Sequence, residues 1–185
     1  MKTPIAWMSS LALAGLAAAA HADDFHLHSP EFEDGGTLSE RHVYEGFGCT
    51  GENVSPELRW SGAPEGTKSF ALLVHDPDAP IASGWWHWVL VNIPADVARL
   101  PADAGDPEGG LAPEEAVQVI TDFGHEGWGG PCPPEGRDPH RYNFVLHALD
   151  VEAIDIPDGA STALVAFLVA GATIDTAELT GLYAR

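Results

Sequence analysis

The stretch Trp86 to Ile93 alternates residue by residue, and that period of two commits this part of the chain to a β-strand. Read as a regular strand, it places His87, Val89, Val91 and Ile93 on one face and Trp86, Trp88, Leu90 and Asn92 on the other. Ser69 to His75 is a nearly continuous apolar run of strand length, the pattern of a strand buried on both faces. Val54 to Trp60 leads into a shorter strand, Val117 to Phe123 reads as a fourth and Tyr142 to Leu149 as a fifth. Ser161 to Ala170 is the one convincing helix, with Asp158, Gly159 or Ser161 to start it and Gly171 to end it. Thr173 to Tyr183 fits either a last short helix or a strand. Residues 101–115 and Gly124 to Pro139 are dense in glycine and proline and must be connections, the second an ordered loop or a lid. The fold class expected is mainly β, an antiparallel sandwich with one or two peripheral helices.

The first 22 residues stand apart. Lys2 supplies a positive start, Ile5 to Ala20 is apolar and alanine-rich, and Ala20-His21-Ala22 gives a small-x-small cleavage pattern. The apolar run falls short of the ~20 residues a membrane span needs. Residues 1–22 are therefore expected to be a cleaved signal peptide and 23–185 a single domain, periplasmic or secreted, with no transmembrane segment after cleavage. The chain carries 28 acidic against 8 basic residues, a formal net charge of -20, which repels nucleic acid and anionic membrane surfaces. The carboxylates are spread along the chain, as on a solvated surface.

An exported chain with two cysteines, Cys49 and Cys132, is expected to form one disulfide. Closing a loop of that length contributes about 4 to 5 kcal/mol in the chain-entropy model. Two free buried thiols are the alternative; neither cysteine belongs to the C-x-x-C pair of a zinc site.

No G-x-S-x-G elbow, H-E-x-x-H helix or Walker loop occurs. Three strings could carry chemistry instead. In Asp76-Pro77-Asp78-Ala79-Pro80, the prolines stiffen a turn that presents Asp76 at the end of a buried strand, and Asp78 reads as a turn-former bonding its own backbone. His87 lies among Trp85, Trp86 and Trp88, as a satisfied core histidine or a pocket wall. His140 and Tyr142 share one strand face, while Arg141 points away, suited to an ion pair. His26, His28 and His125 are the remaining metal candidates, but a surface pair without a carboxylate partner is usually incidental, so neither a metal nor a cofactor is expected.

These strings carry a resemblance. Asp76-Pro77-Asp78-Ala79-Pro80, the strand Trp85-Trp86-His87-Trp88-Val89, and Pro133-Pro134-Glu135-Gly136 with His140-Arg141-Tyr142 resemble the hallmark motifs of the phosphatidylethanolamine-binding protein (PEBP) family. Gly51 to Trp60 and Gly84 to Trp88 are similar to its bacterial Raf-kinase-inhibitor-like branch (YbhB/YbcL type). The resemblance implies a Greek-key β-sandwich with a small cavity for phosphate-like anions, lined by Asp76, His87, Pro134, His140 and Tyr142, and no agreed catalysis. It implies as partners a small anionic or phosphorylated ligand and a protein to modulate, with a homodimer left open. Trp86 stands where some relatives have another histidine, which implies a drier or differently shaped pocket. An Asp76–His87 or Asp76–His140 contact would orient an imidazole whose N–H, with the Tyr142 hydroxyl, faces the ligand. Binding would then strengthen as pH falls through the histidine range. A Cys49–Cys132 bridge would clamp the cavity rim. The alternatives are a hydrolase using the Asp–His dyad and a peptidase-inhibitor module.

Overall fold

The computed structural model describes residues 24–185, so the expected signal peptide lies outside the described residues. The strands are β1 (His26–His28), β2 (Gly36–Thr37), β3 (Glu45–Gly46), β4 (Cys49–Thr50), β5 (Leu58–Ser61), β6 (Ser69–Asp76), β7 (Trp85–Pro94), β8 (Arg99–Leu100), β9 (Val117–Gln118), β10 (His140–Leu149) and β11 (Thr173–Tyr183). The helix α1 spans Thr162–Ala172. A six-stranded sheet in the order β2-β11-β10-β6-β7-β9 faces a three-stranded sheet, β1-β5-β8, and β3 pairs with β4 in a separate ribbon.

The large sheet is covered on both sides, which is why β6 is apolar at consecutive positions. Phe70, Leu72, Val74, Trp88, Leu90 and Phe144 pack toward the small sheet, against Leu27, Leu58, Trp60 and Leu100. Ala71, Leu73, Val89 and Val91 face the other way, against Val165 and Val169 of α1. The architecture is the expected β-sandwich with one peripheral helix.

Four details differ from the expectation or decide between its alternatives. The fourth strand is only Val117–Gln118, because the chain beyond it turns and is held by a bridge from Ile120 to Glu126. The helix runs past Gly171 to Ala172. Ser161 caps its start by accepting a hydrogen bond from the Leu164 N–H, and Thr173 donates to the Val169 carbonyl at its end. The C-terminal segment is a strand, paired with β10 along its length.

The fourth difference reaches the site. β7 slips register against β6 twice, once between Val74 and His75 and once between Phe70 and Leu72. Trp88 pairs with Val74 and Trp86 with His75, so His87 is an extra residue without a cross-strand partner. Near the second slip Asn92 takes φ 60°. Strict alternation therefore fails at both ends of the strand. Ile93 joins Trp88 and Leu90 in the inter-sheet core, not Val89 and Val91.

Packing predicts a clear contrast between two apolar truncations. Leu72→Ala empties a fully buried position and should cost about 2–5 kcal/mol in urea unfolding. Phe167→Ala, on an α1 residue that is 73% exposed, should change stability by less than about 0.5 kcal/mol.

Candidate functional site

β6 ends at Asp76, β7 begins at Trp85 and β10 begins at His140, so three adjacent strands deliver their ends to one edge of the sheet. There a cavity of about 210 Å³ is lined by Asp76, His87, His140, Tyr142 and Pro134, together with Phe47, Ala79, Pro80, Trp85, Phe123, Cys132 and Pro133. All five ligand residues expected from the sequence thus meet in one place.

Asp76 is the hub of the polar end. Its Oδ2 accepts a 2.7 Å hydrogen bond from His140 Nδ1, and its Oδ1 accepts from the Asp78 N–H at 2.8 Å. Asp76, not Asp78, is therefore the residue that closes the turn on its own backbone. Asp78 instead forms a two-pronged pair with Arg141, Nε to Oδ2 at 2.9 Å and Nη2 to Oδ1 at 2.8 Å. The guanidinium beside it holds the Asp78 carboxyl down at about 2. Arg141 is thereby turned outward, and among the described residues no lysine or arginine lines the cavity.

His87 owes its place to the bulge. An extra residue in one strand re-aims the side chains around it. Here it turns His87 from the α1 face, where alternation placed it beside Val89, into the cavity. Trp86 goes the other way, its ring 4.4 Å from His75, so it is not a cavity residue; Trp85 lines the cavity instead.

The backbone of Gly129 grips His87 on both sides. The Gly129 N–H donates to the His87 carbonyl at 2.9 Å, and the Gly129 carbonyl accepts from His87 Nδ1–H. Only glycine fits at this point, because a Cβ on Gly129 would lie 2.3 Å from the Phe123 ring. With Nδ1 occupied as donor, Nε2 offers a lone pair. Burial lowers the imidazole pKa to about 4, so the ring stays neutral near pH 7. The expectation that His87 turns an N–H toward the cavity is corrected: its proton is held by Gly129, and Nε2 is left as an acceptor.

Tyr142 is fully buried, and among the described residues its hydroxyl has no hydrogen-bond partner. Burial and the Asp76 charge push its ionisation far above the ordinary phenol range, so it remains an O–H donor.

The mouth is aromatic. Phe47 is 67% exposed and takes φ 51°, a left-handed conformation unusual outside glycine, between Gly46 and Gly48. Its ring lies 5.9 Å from Phe123, which meets Trp85 edge-on at 5.5 Å. Neither phenylalanine was among the expected site residues. The glycines flanking Phe47 were the available signal that its loop is specially shaped. The disulfide Cys49–Cys132 is present and ties this loop to the Pro133-Pro134 wall. His26 and His28 sit on the exposed face of β1, and His125 stacks on Tyr44 at the rim. Among the described residues no cluster of three or more His, Cys, Asp or Glu is placed to hold a metal ion.

Because the native ring stays neutral while an unfolded histidine protonates below about 6.5, stability is lost as pH falls from 6.5 toward 4. That loss amounts to about 3 kcal/mol for the shift from 6.5 to about 4. Urea unfolding of the parent and of His87→Gln at pH 7 and pH 4 should show the variant losing about 3 kcal/mol less over this range. Equal losses would contradict a neutral buried ring.

Residues 28–184 match the profile of the phosphatidylethanolamine-binding proteins. The UPF0098 protein YbcL of Escherichia coli K12 is 50% identical over 183 residues, 99% of this chain and 98% of its own length. The UPF0098 protein YbhB of the same organism is 47% identical over 159 residues, 85% of this chain and 98% of its own. The crystal structure of E. coli YbcL, described as a member of the mammalian PEBP family, superposes with a TM-score of 0.85 at 51% identity, covering 88% of this chain and 99% of that one. With a β-sandwich, a cavity at the strand ends and motifs shared along most of its length, the chain belongs to the phosphatidylethanolamine-binding protein family.

Proposed function

We propose that this protein is a non-catalytic binding module whose cavity takes a small anion that carries its own proton, a phosphomonoester monoanion above all. One observation carries the reading. The polar end of the cavity sets the Asp76–His140 pair beside a neutral acceptor, His87 Nε2, and among the described residues has no lysine or arginine to balance a dianion. A ligand must therefore bring a donor, while the Tyr142 hydroxyl gives one back. A phosphomonoester loses its second proton near pH 6. Affinity then rises on acidification through protonation of the ligand, with His87 unchanged until about pH 4.

A sulfate ester has the same shape and no proton to offer in this range. In calorimetry between pH 5.5 and 8, methyl phosphate should bind more tightly at pH 5.5 and methyl sulfate not measurably at either end. Equal binding of the two, or affinity independent of pH, would refute the reading.

The Asp76–His140 pair is also what a general base requires, so hydrolysis is the competing reading. It lacks support at the oxyanion, because Pro133 and Pro134 bring no backbone N–H to the rim. Turnover of a phosphate ester or peptide, abolished by His140→Ala, would establish it. A partner protein, whether kinase or peptidase, would engage the same cavity by inserting an anionic group. The leader-like residues 1–22 favour a periplasmic or secreted setting.

A further inference from the structure

The two sulfurs of the rim disulfide are not equivalent. Cys132 lines the cavity and is half-buried, whereas Cys49 lies outside the lining and is 8% exposed. An arginine attends only the buried one. Arg185 Nη1 lies 3.3 Å from Cys49 Sγ. The same guanidinium is fixed from both sides, by Nη1 to the Gly48 carbonyl at 2.9 Å and by Nε to the Pro133 carbonyl at 3.0 Å. The Gly136 N–H in turn donates to the Arg185 carbonyl at 3.0 Å.

Thiol–disulfide exchange has a direction. The attacked sulfur must be reachable, and the leaving sulfur departs faster the better its thiolate is stabilised. Access selects Cys132 and charge selects Cys49. We propose that the rim disulfide is a site of directed thiol exchange: an external thiolate enters through the cavity and attacks Cys132, and Cys49 leaves beside Arg185.

In that step a bond forms between the incoming sulfur and Cys132 Sγ. The Cys132–Cys49 bond breaks, and its electron pair goes to Cys49 Sγ as a thiolate facing the guanidinium. A second thiolate then attacks the external sulfur of the mixed disulfide. This releases the Cys132 thiolate and a disulfide of the two incoming thiols, so two electrons pass from them to the protein. The Gly46–Cys49 loop, with Phe47 on it, is then no longer covalently held to the Pro133-Pro134 wall, while Arg185 still bridges the two. The inference is independent of which ligand the cavity takes.

Brief exposure of the oxidised protein to glutathione, with quenching by iodoacetamide and peptide mass mapping, tests it. The expected product carries glutathione on Cys132 and carbamidomethyl on Cys49. Glutathione on Cys49, or divided evenly between the two, would overturn the direction. Arg185→Gln should slow formation of the mixed disulfide several-fold and Arg185→Lys should recover most of the rate. An unchanged or faster rate in Arg185→Gln would overturn the part assigned to the guanidinium.

Discussion

The cavity depends on one irregularity, the extra residue at His87. In a regular strand His87 would sit beneath α1 with Val89, and the polar end of the cavity would contain only the Asp76–His140 pair and Tyr142. The bulge turns the imidazole inward, and the loop backbone at Gly129 then fixes its orientation and its proton. The hydrogen bonds to Gly129 join β7 to the glycine- and proline-rich loop that also supplies Cys132, Pro133 and Pro134. Strand, loop and rim are thus positioned by one residue.

Most of the sheet was legible because burial on both faces writes a plain signal. The apolar run of β6 and all but the first two residues of β10 could be read directly. The five expected cavity residues were found through motif resemblance more than through periodicity. What escaped was local and cooperative. Alternation gave no warning of the slip at His87, since a bulge is a matter of pairing between two strands and leaves the hydrophobic pattern of one strand nearly intact. That slip also reversed the parts of Trp85 and Trp86. Phe47 was hidden for another reason: its place at the mouth comes from a left-handed backbone and a disulfide 83 residues long in sequence, neither of which a local pattern encodes.

An acidic protein proposed to take an anion looks contradictory until the charges are placed. Of the two carboxylates nearest the site, Asp78 is matched by Arg141 outside the cavity and Asp76 is engaged by His140 within it. What remains toward the cavity is chiefly hydrogen-bonding capacity, from His87, Asp76, the second ring nitrogen of His140 and the Tyr142 hydroxyl. On the proposed reading, such a site would discriminate by protonation state more than by charge, because a buried polar group left without a partner is costly. With a ligand bound, the aromatic mouth of Phe47, Phe123 and Trp85 would limit water at the polar end and strengthen each of those bonds.

Nitrogen-15 NMR of the histidine side chains tests the central claim most directly, because it reads the proton on each ring nitrogen. The account predicts that His87 is protonated on Nδ1 and bare on Nε2 at neutral pH, and that it gains its second proton only near pH 4. A His87 ring with its proton on Nε2, or one that titrates near pH 6.5, would contradict it.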